Sequence, residues 1–458
     1  MANKDNIQYR KQTVYEKAGK ETVEAAYAYA EGYKRFLDCA KTEREAVDAC
    51  IALAEKNGYR PYTIGMPMKA GDCFYYNNRG KNIYLFRIGT NPIESGIRIT
   101  AAHLDAPRLD LKQVPLYEEG GMGFFKTHYY GGIRKYQWLA TPLALHGVVI
   151  KQNGDVVKLA VGEDDNDPVM YITDLLPHLA GGDSEKPLSK AFSAEKLNIL
   201  VGSAPLDGED KDAVKAGVLH YLNETYGIVE EDLLSAELCI VPAAKARDVG
   251  FDRSMIGAYG HDDRVCAYPS MTALFETPDA KETCMCILVD KEETGSDGVT
   301  GMQCSLITDI ITEISKAMGG NEAIVRANSK CFSSDVTATF DPNYASVYEK
   351  NNASIIGCGI SVCKFTGSRG KSGTSDASAE MVAWVRRVLN EAGVVWQTCE
   401  LGKVDAGGGG TVAKYMAKHN IDTIDIGVGV LSMHAPYEVI AKVDLYEGHR
   451  AFAAFYRY

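Results

Sequence analysis

Val289-Asp290-Lys291-Glu292-Glu293-Thr294-Gly295-Ser296 is the stretch whose reading decides the fold. Before it runs Cys284-Met285-Cys286-Ile287-Leu288-Val289, an unbroken apolar segment of strand length that reads as a buried strand. Gly295 and Gly298 follow and allow a sharp turn. Glu292 and Glu293 therefore stand at the C-terminal end of a core strand, where open α/β sheets hold their ligands. Consecutive residues leave a strand end in different directions. One glutamate can then bind a metal while the other handles a proton. Two solvated glutamates on a surface loop are the plain alternative, so the company the pair keeps has to decide.

Outward from this stretch the chain alternates strands and helices. On the N-terminal side, apolar and small residues at helical spacing predict helix from about Val14 to Lys56, with Asn57-Gly58 as a stop. Strands are expected at 82–88 and 96–102, the second ending at His103-Leu104-Asp105. On the C-terminal side, helices are expected at 263–275, 302–318, 375–390 and 439–455, with one more after the glycine run 407–410. Strands are expected at 323–327, 354–364, 394–401 and 421–430. Strands alternating with helices imply α/β architecture, a mostly parallel central sheet flanked by helices. Between about Ala106 and Lys245 the character changes to short alternating runs. Gln152-Asn153-Gly154-Asp155 is a hairpin signal there, and a polar loop covers 181–190. The expected organisation is a catalytic domain in two parts, 1–105 and 249–458, split by a β-rich insertion over 106–248.

Composition narrows the function. At 458 residues the chain exceeds one ordinary core, and two domains are expected. No apolar run is long enough to span a bilayer. The polar stretch Met1 to Lys20 has no signal-peptide core, so a cytoplasmic protein is expected. A net charge of −12 repels phosphate backbones and argues against nucleic-acid and anionic-membrane partners. None of the 12 cysteines forms a CxxC pair. Cys239, Cys284, Cys286, Cys358 and Cys363 read as small buried hydrophobes in a reducing compartment, and the spacing does not suit a zinc-thiolate site.

Five candidate sites fall at or just after predicted strand ends: His103 with Asp105, Asp262-Asp263, Glu292-Glu293, Asp335 and His434. Each has a bland reading. His103 can be a satisfied structural histidine, Asp262-Asp263 a helix cap and Asp335 an Asx-turn residue. Together they are nitrogen and carboxylate donors without cysteine, a set that suits zinc, cobalt or manganese. Two histidines with three or four carboxylates suffice for two metals sharing a carboxylate. Such a pair can activate one water and steady a tetrahedral intermediate.

Ala101-Ala102-His103-Leu104-Asp105-Ala106-Pro107, Gly260-His261-Asp262-Asp263-Arg264-Val265-Cys266-Ala267, Asp290 to Ser296, Ser333-Ser334-Asp335, Asp341-Pro342-Asn343-Tyr344 and Ser432-Met433-His434 resemble the M18 family of metallo-aminopeptidases. This is the aspartyl aminopeptidase and aminopeptidase I family, and the likeness is to its bacterial branch. The resemblance implies a phosphorylase/hydrolase-like zinc peptidase fold and two zinc ions per subunit, replaceable by cobalt or manganese. Position by position, it makes His103, Asp262, Glu293, Asp335 and His434 metal ligands, with Asp262 bridging. Asp105 would orient the His103 imidazole and Glu292 would be the general base. The residues alone leave open which glutamate is base and which is ligand.

The resemblance also makes the insertion a dimerisation domain and allows a tetrahedral dodecamer acting on short peptides. Leu175-Leu176-Pro177-His178-Leu179-Ala180 resembles the segment whose histidine reaches a neighbouring subunit's site, so His178 is a candidate there and a surface histidine otherwise. For substrate selection, Lys364 and Lys371 are candidate cations toward an acidic N-terminal residue. The glycine- and serine-rich segment around them fits broader or leucine-preferring members instead. Gly408 in the run 407–410 is expected to let backbone approach the substrate. The other readings are a dimetal carboxypeptidase or amidase and a non-catalytic assembly protein that kept the fold.

Overall fold

The computed structural model describes residues 7–183 and 185–458. Met1 to Asn6, in the polar N-terminal stretch, and Ser184, in the polar loop 181–190, lie outside the described residues. The chain divides into two compact units. The larger holds residues 1–105, 246–433 and 438–458, and the smaller holds 106–245 with 434–437. Arg247–Val249 pairs with Met255–Ala258 in a five-stranded sheet of the larger unit, which is why the chain has returned there by Ala246.

Four parallel strands position the site: β1 (Ile97–His103), β2 (Thr283–Val289), β3 (Lys330–Ser333) and β4 (Asp422–Gly427). They form the middle of a nine-stranded sheet in the order β2-β1-β3-β4. Asn82–Arg87 runs antiparallel beside β2, and Ile360–Cys363 antiparallel beside β4, so the sheet is mixed. The register is informative. Val289 lies opposite His103, and Ser333 lies opposite both Ala101 and Asp425. Asp335, two residues beyond Ser333, is therefore level with His103, and Asp290 to Glu293 begin just past the same line.

Both faces of β2 are buried, which explains why Cys284 to Val289 is continuously apolar rather than alternating. Cys284, Cys286 and Leu288 of β2 enter one apolar cluster with Tyr33, Phe332, Phe452 and Phe455. Met285, Ile287 and Val289 enter the other, with Ile99, Ile307 and Ile311. All 12 cysteines are free thiols. Helix α1 (His261–Phe275) and helix α2 (Lys442–Arg457) cover the first face, and most of their residues are buried.

Several predicted elements need correction. The single helix over 14–56 is three helices, Val14–Lys17, Lys20–Cys39 and Glu43–Lys56, with Thr13 and Thr42 capping the first and third. The run 323–327 is helix, not strand. Asn321 accepts from the Ala323 N–H, and Glu322 pairs with Arg326 one turn on. The strand of that region is β3, just after it. The run 421–430 is two strands in two sheets, β4 and Gly429–Leu431. The predicted helix 375–390 starts at Ala379, capped by Ser378.

The smaller unit is a six-stranded antiparallel sheet carrying one long helix, Ala213–Tyr226. Its 151–155 turn joins Leu143–Ile150 to Val156–Val161 as a hairpin. Among the described residues no helix is long and apolar enough to cross a membrane.

Candidate active site

β1 ends in His103, whose ring is buried. Its Nδ1 faces the Asp105 carbonyl oxygen at 2.9 Å and the Asp105 carboxylate at 3.4 Å. Both are acceptors, so Nδ1 carries the proton and donates. Nε2 then points at carboxylates, 3.1 Å from Asp262 and 3.8 Å from Asp335. Burial opposes charging this ring. Hydrogen bonds to Asp105, Asp262 and Asp335 outweigh it, and hold its pKa well above the usual imidazole value.

The Asp105 carboxylate, fully buried, does a second job. Its two oxygens accept the N–H groups of Glu292 and Glu293 at 3.2 and 3.1 Å. Those N–H groups open the 3-10 turn Glu292–Thr294 and have no partner within it. One carboxylate thus ties the end of β1 to the turn after β2. Left-handed Lys291 and Gly295 bracket that turn, with φ of 71° and 98°. The Gly295 carbonyl accepts from Gln303 and from the Tyr415 hydroxyl.

Asp262 and Asp263 start α1, joined by a cis peptide. The Asp262 N–H donates to Glu438 at 3.2 Å, and Asp263 accepts the His103 N–H at 3.3 Å. The neighbouring His261 is no ligand candidate. Its Nε2 donates to the Ile256 carbonyl and its Nδ1 accepts from Tyr33, so both nitrogens are occupied. Burial lowers its pKa to about 3 and keeps it neutral. Asp335 sits where Gly427 leaves room, since a Cβ on Gly427 would lie 1.8 Å from the Asp335 carbonyl oxygen.

Donor atoms of His103, Asp262 and Asp335 all lie within 4.8 Å of one another, and oxygens of Asp262 and Glu293 are equally close. One imidazole nitrogen and several carboxylates in a buried pocket fit a zinc-class cation and leave no sulfur for a softer one. Crowding of the acids shows in their titration. Burial first, then Asp335, push Glu292 up to about 8. Burial, with Asp335 again, raises Asp263 well above the carboxylate range. Such shifted groups mark sites where charge is waiting for a counter-ion.

The remaining candidates belong to other segments. His434 is grouped with the smaller unit, its Nδ1 2.8 Å from the Gly132 carbonyl oxygen. His178 is exposed in a turn of that unit. Lys364 and Lys371 both pair with Asp376, Lys371 at 2.9 Å. Lys371 and Gly408 line a cavity of about 360 Å³ with Arg369 and Lys403. Gly408 packs directly on the Gly367 carbonyl, which a Cβ would overlap. Sequence reasoning missed Glu438 and the backbone role of Asp263. The only signal was an acid inside the apolar run Glu438-Val439-Ile440-Ala441 and a doubled aspartate read as one.

Residues 36–456 match the family described as "Aminopeptidase I zinc metalloprotease (M18)". The chain is 50% identical over 450 residues to a protein of Clostridium acetobutylicum named "Probable M18 family aminopeptidase 1", covering 96% of this chain and 97% of that one. It superposes on the crystal structure of an M18 aminopeptidase from Thermotoga maritima with a TM-score of 0.93 and 42% identity, over 98% of this chain and 100% of that one. A more distant structure, the mApe1 dodecamer of S. cerevisiae, is 22% identical with a TM-score of 0.77. It covers 96% of this chain and 97% of that one, and shares the fold.

Proposed function

Since the chain belongs to the M18 family of aminopeptidase I zinc metalloproteases, we propose that its own reaction is removal of one N-terminal residue at a time from short peptides, at two zinc ions per subunit. His103 and Asp335 would hold one ion, Glu293 and His434 the other, and Asp262 would lie between. The observation that carries this is the convergence of His103, Asp262 and Asp335 donors at the end of β1, with Asp105 linking them to the Glu292–Glu293 turn.

Zinc bound there would supply Lewis acidity, lowering the pKa of water and polarising the scissile carbonyl. The protein's part is positioning and proton transfer. Asp105 and its carbonyl keep a proton of His103 on Nδ1, so Nε2, which faces Asp262 and Asp335, is the nitrogen that would give up its proton to bind a metal. Glu292, with its backbone N–H anchored on Asp105, takes a proton from the attacking water and hands it to the departing amine. Glu293, anchored by the same carboxylate, turns its side chain to Asp262.

Neutral N-terminal residues are the proposed preference over acidic ones. Lys364 and Lys371, the two cations expected to meet an acidic side chain, are both engaged by Asp376. The smaller unit is proposed as the dimerisation element of a homo-oligomer, with His178 reaching a neighbouring copy. A yeast protein of the same fold is described as a dodecamer.

A panel of aminoacyl p-nitroanilides with zinc, cobalt and manganese tests the reading, together with an N-acetylated peptide. Leucyl or methionyl substrates should be cleaved faster than aspartyl ones, and the acetylated peptide should survive. Cleavage of the acetylated peptide from its carboxyl end would overturn the reading in favour of a carboxypeptidase.

A further inference from the structure

Asp425 lies in β4, directly opposite Ser333 of β3 and one strand away from the Asp335 arm. Its side chain is buried, 3% exposed, and belongs to none of the groups discussed above. One oxygen, Oδ1, accepts two hydroxyls: Ser333 at 3.0 Å and Thr411 at 2.6 Å. The other, Oδ2, is buried and makes no hydrogen bond to any described residue. A carboxylate is costly to bury, and apolar residues surround it on its own strand. A sheet strand needs no acid here, so the position calls for a local reason.

Thr411 supplies it. This residue closes the run Gly407-Gly408-Gly409-Gly410, which has no side chains with which to fix its own path. Thr411 Oγ1 also accepts the Ala413 N–H at 3.3 Å and so starts the short helix Ala413–Ala417. From that helix the Tyr415 hydroxyl donates to the Gly295 carbonyl at 3.1 Å. Gly295 ends the turn that carries Glu292 and Glu293. An unbroken set of contacts thus runs from Asp425 through Thr411 to the turn of the proposed base. Asp105 holds the front of that turn and Tyr415 its back.

We infer that Asp425 is a positioning residue: by accepting the Thr411 hydroxyl it fixes the glycine run and the helix that braces the Glu292 turn. This rests on the peptidase reading for its kinetic consequence, but its structural consequence does not. It touches no substrate and transfers no proton.

The test compares Asp425→Ala, Thr411→Val, the double variant and Thr411→Ser, each as full-length zinc-loaded protein. Two readouts are taken. The first is amide hydrogen exchange, which needs no activity. In the Asp425→Ala and Thr411→Val proteins, peptides covering 405–417 and 290–296 should exchange faster, while β2 and α2 stay protected. The second is the split between kcat and KM. Misplacing the turn should lower kcat by about tenfold or more, with zinc content kept. The double variant should be no worse than Asp425→Ala, because Thr411→Val cuts a link that Asp425→Ala has already cut. Thr411→Ser, which keeps the hydroxyl, should restore both readouts.

Unchanged exchange in 290–296 with unchanged kcat would overturn the inference. So would additive losses in the double variant, or failure of Thr411→Ser to restore what Thr411→Val loses. If Asp425→Ala does not fold, Thr411→Val and Thr411→Ser decide alone. If the unaltered protein cleaves no peptide, the peptidase reading fails while the exchange result still decides this one.

Discussion

At the scale of single residues, two neighbouring glutamates are proposed to do different work although both backbone N–H groups rest on one carboxylate. Both N–H groups rest on Asp105, but only Glu293 is assigned to a metal. Glu292→Gln removes the proton acceptor and keeps the shape. It should lower kcat by roughly 10²–10⁴-fold with zinc content and KM little changed, which steady-state kinetics and metal analysis can check. A pH effect follows from the same residue. In zinc-stripped protein, burial and then Asp335 raise Glu292 to about 8 from an ordinary value of 4.5. The folded state then keeps a proton that the unfolded chain has released. Its stabilising contribution is full below pH 4.5 and is lost as pH rises through about 8. Raised His103 acts in the same direction. Stripped protein should therefore have a lower Tm at pH 9 than at pH 6, and stripped Glu292→Gln should show a smaller difference in the same scan.

At the scale of elements, the site exists because strand ends are level. The Val289–His103 and Ser333–Ala101 registers bring Glu292, His103 and Asp335 to one edge, and the breaks after the strands let each side chain turn outward. Gly427 is the tightest of these arrangements. Gly427→Ala would drive a methyl into the Asp335 carbonyl. It should cost about 1–3 kcal/mol and weaken zinc binding, whereas Ala in place of the unobstructed Gly19, whose φ is −70°, should leave zinc binding intact. Isothermal titration with zinc separates the two. The strand before Glu292 was legible because both its faces are buried, which writes an unbroken apolar run from Cys284 to Val289, and the strand ending in His103 because β-branched and small residues outnumber its single charge, Arg98. The 323–327 segment was not, because four apolar residues and one cation, Arg326, fit either period over so short a run. Asn321, outside the run, decides it by capping a helix. The break at Val428 was illegible for another reason: where β4 ends, the Asp335 backbone packs against Gly427, a contact distant in sequence.

At the scale of the whole molecule, four of the proposed ligands, His103, Asp262, Glu293 and Asp335, span more than two hundred residues and meet only when the sheet is complete. Zinc binding should therefore report on folding of the larger unit as a whole. Zinc at a hundredfold excess over its Kd should raise stability by about 2.7 kcal/mol, seen as a higher Tm that chelation reverses. The ligand types and their strand-end placement could be read from the sequence, and the family resemblance ordered them. What the chain could not disclose was the support: Asp105 gripping two backbone amides, Glu438 gripping a third, and Asp376 pairing with both Lys364 and Lys371. None of these leaves a periodic trace. The claim beneath the rest is that these side chains hold zinc around Glu292. Diffraction at the zinc absorption edge from crystals grown in zinc tests it most directly. Strong anomalous peaks bounded by His103, Asp262, Asp335 and Glu293 are the expected result. Zinc-loaded, active crystals with no peak among those residues would contradict it.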